Sequence, residues 1–290
     1  MNSRVTLSQL RVFLAAVELG NLTNAAADLE MSQSAVSHAL SELERNLGAR
    51  LLERGRFGAR ATVLGEQVAL QARIMLRAEA SMLEVLAASQ GQLKGLIRIA
   101  CLRSVATHVL PDFIQAFRVK HPQVQFEIQS GEGVANGVEN AVRTARADLG
   151  FLAAPLTSDL EHFEFFKDEW VALFSNTNAP KQETATWQDI LEQPFLLCNE
   201  AGAPTLRDYF ARHQKNVIPA AQVEDDSVIL SMVAHGFGVS ILARLATLPL
   251  PKSVAVRLLP EQLERKIVVA VQPKLKSVVV EAFLDFLQNK

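Results

Sequence analysis

Cysteine is scarce in this 290-residue chain, which contains only Cys101 and Cys198. Two cysteines are too few for the disulfide framework of a secreted protein. No apolar run reaches the ~20 residues of a membrane-spanning helix, and the first residues lack the layout of a signal peptide. We therefore expect a cytoplasmic protein with no membrane partner. The two thiols are expected to be buried and inert, although a redox switch between them is an alternative.

Motifs of the common enzyme classes are also missing. The chain has no GxSxG, HExxH or GxxxxGKS/T sequence, and its histidines and cysteines do not have the spacing of a zinc site. The segment GEGVANG at 131–137 resembles a dinucleotide loop, but its glycines are one residue too far apart. We expect no catalytic residues, no metal, no cofactor and no enzyme activity.

Excess positive charge is absent as well. The chain has 29 Lys and Arg against 31 Asp and Glu, a net charge of −2, whereas nucleic-acid-binding domains are usually basic. The charge is uneven, however. Residues 45–60 contain five arginines, at 45, 50, 54, 56 and 60, and a single acid, Glu53. This local excess can reach phosphate groups whatever the total charge of the chain.

The first 62 residues are predicted to form successive helices. Thr6 and Gln9 have the spacing of a capping box, and apolar residues then recur with the period of a half-buried helix. A short second helix, from about 23 to 29, and a third, from about 33 to 47, are separated by about four residues. Two helices joined in this way form a helix-turn-helix candidate.

The third predicted helix has one apolar face and one face of small polar groups. Ser34, Ser37, His38 and Ser41 lie on the polar face at helical spacing. Together with Gln33, they can hydrogen-bond base edges or phosphates in a major groove. An ordinary solvated face is the alternative, but such a face is usually rich in Lys and Glu.

The arginine-rich segment that follows can form a short hairpin. Residues 53–60 include two glycines on which the chain can turn. Arginines on such a wing can contact phosphates or the minor groove.

A long helix is predicted from about 64 to 89, with no proline and no glycine after Gly65. It would be about 39 Å long, more than a small domain needs. Its apolar seam consists of Val68, Ala72, Met75, Met82 and Leu86. A seam of this kind usually pairs with a second chain, so we expect a homodimer through this helix. Packing of the helix on its own domain is the alternative.

From Gly95 onward, predicted strands alternate with predicted helices. This alternation indicates βαβ units and largely parallel sheets. About 195 residues suit two α/β lobes, and ligands of such folds bind at the carboxyl ends of the strands. We therefore expect a small-molecule cleft between the lobes.

Polar residues follow several of these strands: Arg103, Ser104, Ser130, Gly131, Asn199, Thr205, Asp225 and Asp226. The hydroxyl groups and Arg103 suit an anionic ligand, whereas the aspartates suit a cationic one. Each hydroxyl could instead cap a helix. The residues alone therefore leave the charge of the ligand open.

The N-terminal residues resemble the LysR-type transcriptional regulators. The matching positions are Leu10, Phe13, Gly20, Thr23, Ala25-Ala26, Leu29, Ser32–Ser37, Leu40, Leu43-Glu44, Leu47-Gly48, Leu51, Arg54, Thr62 and Gly65. Looser similarity continues at Gly95–Ile99, Asp148–Gly150 and Val233–Val239.

This resemblance implies a multidomain α and α/β architecture. A winged helix-turn-helix at 1–62 would be followed by a linker and dimerisation helix at 63–92. The effector domain at 93–290 would resemble a type 2 periplasmic binding protein, with lobe I at about 93–162 and 266–290 and lobe II at about 163–265.

The resemblance also implies a sequence-specific regulator that activates or represses genes when a small-molecule effector binds between the lobes. The implied partners are double-stranded promoter DNA, the effector, RNA polymerase and further copies of the chain, in a dimer and then a tetramer. A solute-binding module and an α/β enzyme are the alternatives. The first lacks an export signal, and the second lacks a catalytic constellation.

Site residues follow by position in the motif. The implied DNA contacts are Thr23, Ser32, Gln33, Ser34, Ala35, Ser37, His38, Ser41, Arg54 and Arg56. Among them, Gln33, Ser34, Ala35 and His38 would read bases, Ser37 would contact phosphate, and the arginines would lie in the wing. His38 departs from the Arg or Gln that relatives often have. The implied effector contacts are Arg103, Ser104, Ser130, Gly131, Asn199, Thr205, Asp226 and Phe237.

Overall fold

The N-terminal part of the computed structural model is a winged helix-turn-helix. The structure describes residues 5–55, 58–130, 137–198 and 203–289. The first elements are α1 (Leu7–Leu19), α2 (Leu22–Asp28), α3 (Gln33–Leu47), β1 (Leu52–Gly55) and β2 (Gly58–Ala61). The predicted capping box at Thr6 and Gln9 is present, and Gly48 ends α3 in the left-handed conformation with φ of 67°. The predicted wing is confirmed as an antiparallel hairpin of β1 and β2.

The wing is held against the helices by three hydrogen bonds that backbone amides donate. The Gly20 carbonyl, at the end of α1, accepts a hydrogen bond from the Ala59 amide (2.7 Å). Glu44 on α3 accepts hydrogen bonds from the Leu51 and Leu52 amides (2.8 and 3.1 Å). A carboxylate that accepts two backbone amides makes strong, charge-assisted bonds. The orientation of the wing relative to α3 is therefore fixed.

The long helix α4 (Val63–Ser89) has two distinct halves. Val68 and Ala72, predicted to belong to a seam between chains, instead pack in the core of the N-terminal helices. This half of the prediction was wrong because α1 covers the start of α4. Farther along, Met75, Met82, Leu83, Val85 and Leu86 are between 49% and 70% exposed. We refer to these five residues as the exposed stripe.

Alternating strands and helices make up the rest of the chain. Its first half contains β3 (Gly95–Cys101), α5 (Arg103–His108), α6 (Leu110–Lys120), β4 (Val124–Ser130), α7 (Gly137–Arg143), β5 (Leu149–Ala153), β6 (Glu161–Ser175) and α8 (Trp187–Leu191). Its second half contains β7 (Phe195–Cys198), α9 (Ala203–Arg212), β8 (Ala221–Val223), α10 (Asp226–Ala234), β9 (Val239–Ala243), β10 (Val254–Leu258), β11 (Glu264–Val271) and α11 (Val278–Gln288). Among the described residues, no helix is both long and apolar enough to cross a membrane.

The strands form two lobes that share one long strand. The order along the described strands is β4-β3-β5-β11-β6-β9-β7-β8, with β10 also on β6. The outer pairs, such as β3 with β4 and β7 with β8, are parallel as predicted. The central strands β6, β10 and β11 pair antiparallel, so the expectation of largely parallel sheets holds only toward the edges.

The crossover between the lobes lies within β6. Residues up to 169 pair with β11 in lobe I, and residues from 170 pair with β9 in lobe II. Phe165 and Phe166 pack against the core of lobe I. The chain therefore enters lobe II several residues later than the boundary near 162 that we predicted.

Two arginines on α4 attach the N-terminal part to lobe I. Arg73 donates hydrogen bonds to Glu18 on α1 (3.2 Å) and to the Thr144 carbonyl after α7 (3.1 Å). Arg77, one turn later, donates to the Ala145 carbonyl (3.1 Å) and pairs with Asp148. Because Arg73 and Asp148 are almost fully buried, these contacts are shielded from solvent.

Replacing Gly65 by alanine tests the contact between α4 and the segment before the wing. Gly-to-Ala changes usually stabilise a helix by about 1 kcal/mol. Here, an added Cβ would lie 2.1 Å from the Leu51 carbonyl oxygen. We expect Gly65→Ala to lower the free energy of unfolding by about 1–3 kcal/mol, as overpacking does. Urea denaturation measures the change.

Gln71→Ala, at an exposed site on the same helix, is the control and should change stability by no more than a few tenths of a kcal/mol. A stabilised Gly65→Ala protein would contradict the packing described here.

Candidate nucleic-acid interface and ligand cleft

Ser32 caps the N-terminus of α3. The Ser32 hydroxyl accepts a hydrogen bond from the Ala35 amide (3.2 Å) and lies 3.0 Å from the Ser34 hydroxyl. Before it, Glu30 takes a positive φ of 52°, which turns the chain out of α2. Ser32 therefore caps the helix, and its predicted contact with DNA stays a prediction.

The predicted base-reading residues lie together on the outer side of α3. Gln33, Ser34 and His38 are exposed, and Ala35 is half-buried. The opposite face of the helix carries Val36, Leu40 and Leu43, which are buried. The helix thus presents an amide, a hydroxyl and an imidazole on its first two turns, all groups that can hydrogen-bond base edges.

Three further predicted contacts flank this surface. Ser37 is half-buried on α3, and its carbonyl accepts a hydrogen bond from the Ser41 hydroxyl (2.8 Å). Ser41 therefore presents an oxygen acceptor rather than a donor. Thr23 is exposed at the start of α2, where its amide donates to the Asn21 side chain (2.7 Å).

Of the predicted wing arginines, Arg56 lies outside the described residues. The backbone of Arg54 lies in β1, opposite Ala59, but its side chain also lies outside the described part of the structure. Arg45, Arg50 and Arg60 are exposed. Arg45 pairs with Glu42 one turn earlier on α3 (2.9 Å).

An ion pair between the lobes crosses the predicted effector cleft. Arg103, at the start of α5 in lobe I, donates to Asp226 at the start of α10 in lobe II (2.8 Å). Its guanidinium is also 3.8 Å from Asp225. The opposite charges that left the ligand class open are therefore partners of one another.

Asp225 has a second role as the cap of α10. Its carboxylate accepts a hydrogen bond from the Ser227 amide (2.7 Å). Hydrogen bonds from Ser227 hold the pKa of Asp225 below its ordinary value, and the nearby Arg103 lowers it further. The carboxylate is therefore ionised and held in place.

A second ion pair lies deeper, at the crossover strands. Arg265 on β11 donates to Asp168 on β6 (2.7 Å) and to the Ser104 hydroxyl (3.0 Å). Asp168 also accepts a hydrogen bond from the Leu245 amide (3.1 Å). Both members of this pair are largely buried, so each charge is neutralised by its partner.

These groups surround a cavity of about 60 Å³ between the lobes. It is lined by Leu102, Arg103, Ser104, Trp170, Cys198, Leu206, Asp226, Ile241, Leu242, Ala243, Ala246 and Arg265. The structure thus brings together three of the predicted effector residues, Arg103, Ser104 and Asp226. The sequence interpretation missed Trp170 and Arg265, which lie inside predicted or observed strands rather than after them.

The other predicted effector residues are placed elsewhere. Ser130 ends β4 beside Cys101, and Thr205 is half-buried on α9, but neither lines this cavity. Phe237 is 62% exposed, lies between Gly236 and Gly238, which both have positive φ, and does not line this cavity, so its contact with an effector stays a prediction. Gly131 and Asn199 lie outside the described residues.

Both cysteine side chains are buried, as predicted, and they do not form a disulfide with one another. Burial raises the pKa of the Cys101 thiol to about 12. The Cys198 thiol donates to Asp226 (3.2 Å). Within the described ranges, no three His, Cys, Asp or Glu side chains are grouped in a way that could hold a metal ion.

Two family models match the chain. One, described as "Bacterial regulatory helix-turn-helix protein, lysR family", matches residues 7–66. The other, described as "LysR substrate binding domain", matches residues 90–290. Among curated relatives, a probable HTH-type transcriptional regulator, LrrA of Synechococcus elongatus, is 40% identical over 98% of this chain and 97% of its own length. YvbU of Bacillus subtilis, also named as an HTH-type transcriptional regulator, is 30% identical over 98% of both chains.

Solved structures show the same fold over nearly the full length. Full-length OxyR from Pseudomonas aeruginosa, solved as a cysteine-to-aspartate variant, superimposes with a TM-score of 0.75 at 21% identity, over 99% of this chain and 97% of that one. Full-length CbnR in complex with its target DNA gives a TM-score of 0.69 at 19% identity, over 98% and 99%. The chain belongs to the LysR family of DNA-binding transcriptional regulators, with an N-terminal helix-turn-helix and a C-terminal effector-binding domain.

Proposed function

We propose that this regulator reads its operator through the first two turns of α3. Gln33, Ser34, Ala35 and His38 contact base edges. Ser37 and the wing arginines Arg54 and Arg56 contact phosphates, with Thr23 and Ser41 at the margin of the surface. Regulation occurs in the cytoplasm, with RNA polymerase as a further partner. The DNA-binding domain comprises residues 1–62, and the linker helix comprises residues 63–92. The effector binds between lobe I and lobe II of the domain at 93–290.

The composition of the exposed face of α3 carries this proposal. Its first two turns contain exposed amide, hydroxyl and imidazole groups and no lysine or glutamate. Short polar groups allow a helix to approach the floor of the major groove closely. The exposed Arg45, two turns farther along the same face, and the exposed Arg50 and Arg60 that follow α3 supply positive charge next to these groups, where phosphates would lie.

Gel retardation of the DNA upstream of the protein's own gene tests DNA reading directly. At ~100 mM salt, phosphate binding without sequence preference is weak, so specific binding stands out. Specific retardation supports the proposal. Absence of specific binding both to this DNA and to duplexes selected from a random pool would contradict it.

His38→Ala is expected to change sequence preference. Removing one base-edge contact typically costs about 1–3 kcal/mol at a single base pair. We expect weaker discrimination at one operator position and little change in affinity for unrelated DNA. Competition binding against operators mutated one base pair at a time measures both quantities.

Arg56→Ala should behave differently from His38→Ala. Loss of a phosphate contact is expected to weaken binding to all duplexes alike and to reduce the slope of log K against log salt by about one. Titrations at several salt concentrations measure that slope. Identical effects of the two substitutions on every duplex would show that the assigned base-reading and phosphate roles are incorrect.

We further propose that two chains pair through the exposed stripe of α4. This surface is contiguous, helical and 49–70% exposed at five large apolar side chains, which is unusual for a single soluble chain. Pairing of a second copy would bury it and present two reading helices to one operator. Two such dimers would form the tetramer implied by the resemblance.

Replacing both Met82 and Leu86 by lysine should dissociate the dimer. Each apolar side chain contributes roughly 1.5–3 kcal/mol when buried, so the double substitution is expected to raise the dimer dissociation constant by about a hundred-fold or more. Sedimentation equilibrium measures this constant. Gln71→Lys, an exposed polar site on the same helix, is the matched control. A double variant with the association state of the control would argue against pairing through α4.

A further inference from the structure

Four arginine side chains meet at an open cavity between the DNA-binding domain and lobe I. The cavity has a volume of about 760 Å³ and is bounded by α1, α4, β3, β4 and α7. Arg73 and Arg77 reach it from α4, Arg98 from β3 and Arg146 from the segment that follows α7. It shares no described lining residue with the cavity between the lobes, so a ligand bound here occupies a separate site.

These arginines keep hydrogen-bond donors that the described part of the chain does not use. Arg73 donates from Nε to Glu18 and from Nη1 to the Thr144 carbonyl, and its Nη2 has no partner there. The half-buried Arg146 donates from Nε to the Thr144 hydroxyl (3.1 Å), and neither of its terminal nitrogens has a described partner. Guanidinium groups hold oxyanions through pairs of parallel N–H donors, so an anion with several oxygens suits this arrangement.

The buried charges at this cavity are mainly positive, whereas its acidic groups are exposed. The side chains of Arg73 and Arg77 are only 6% and 17% exposed, and a buried acid, Asp148, pairs with Arg77. A fifth arginine, Arg11, is exposed and pairs with Glu79. The acids that line the cavity are exposed, so that water and salt screen their charge: Glu18, Asp28, Glu66 and Glu127.

The crowding of the arginines affects the protonation of Arg77. Burial, and after it the positive charge of Arg98, lowers the pKa of Arg77 to about 9. Glu127, which pairs with Arg98 (2.9 Å), acts in the opposite direction. A guanidinium otherwise keeps a pKa above about 12. An anion in the cavity would favour the charged form of Arg77, so the electrostatics of the cavity suit a negatively charged ligand.

We propose that a small molecule carrying at least two phosphate groups binds in this cavity, against Arg73, Arg98 and Arg146. The volume lies within the range of about 300–1,000 Å³ that is usual for small-molecule sites. Arginine donors come from both α4 and lobe I, and two linked phosphates can meet donors on both sides at once. Because the walls belong to α1, α4 and lobe I, the bound molecule would stabilise the attachment of the DNA-binding domain to lobe I.

Pyrophosphate is the probe for this site, and malonate is the probe for any small dianion. The full-length protein is titrated with each by calorimetry at constant ionic strength, and its melting temperature is followed in parallel. We expect pyrophosphate to bind at least ten-fold more tightly than malonate, which offers fewer acceptor oxygens, and to raise the melting temperature by mass action. Equal affinity for the two probes would contradict a phosphate site.

Arg146→Gln removes a guanidinium whose terminal nitrogens have no described partner. Loss of a charge-assisted hydrogen bond should weaken pyrophosphate binding by roughly 10-fold or more. Arg212→Gln, at an exposed position on α9 that does not line the cavity, removes the same charge and should bind as the parent does. The melting temperatures of both variants without ligand show that each is folded. Unchanged affinity in Arg146→Gln would overturn the proposal.

Hydrogen exchange of the full-length protein locates the bound pyrophosphate. We expect slower amide exchange at the end of α1, in α4 near Arg73 and in residues 144–147, which border the cavity. Slower exchange confined to α3 and the wing, or to the cleft between the lobes, would place the anion elsewhere and overturn the proposal. Absence of binding at ~10 mM, near the weakest affinity that about nine heavy atoms should give, would overturn it as well.

Discussion

One buried guanidinium, that of Arg73, contacts all three parts of this regulator. It leaves the linker helix α4, pairs with Glu18 at the end of α1 in the DNA-reading part, and donates to the Thr144 carbonyl in lobe I. Because Arg73 is only 5% exposed, losing either partner would leave a buried charge poorly compensated, which is costly. These contacts therefore help to fix the relative position of the DNA-binding part, the linker helix α4 and lobe I.

Strand β3 connects the region where α4 is attached to lobe I with the cleft between the lobes. Arg77 pairs with Asp148, and Asp148 accepts a hydrogen bond from the Arg98 amide on β3 (2.7 Å). Five residues along the chain, just beyond the end of β3, Arg103 reaches across the cleft to Asp226. The contacts that attach α4 to lobe I and the ion pair between the lobes therefore lie at the two ends of one strand.

The elements that could be predicted from the sequence are those with local signals at their ends. Ser32 and Gly48 bound α3 at Gln33 and Leu47 because a serine cap and a left-handed glycine act within one turn. The length of β6 and the existence of β10 were not predicted. Residues 161–169 of β6 mix charged and aromatic side chains without a regular period, and the strand β11 that makes this segment part of the sheet lies about 100 residues away.

The cleft shows why its chemistry could be predicted only in part. Arg103, Ser104 and Asp226 follow strands, where ligand contacts of α/β folds are expected, and they do line the cavity. Their charges, read along the chain, indicate both an anionic and a cationic ligand. Folding pairs Arg103 with a residue 123 positions away and Ser104 with Arg265 161 positions away. Once those pairings are made, the opposite charges neutralise one another, so they no longer indicate the charge of a ligand. The net charge of −2 misleads about DNA for the same reason: a sum over the chain does not show which groups are paired and which face a partner.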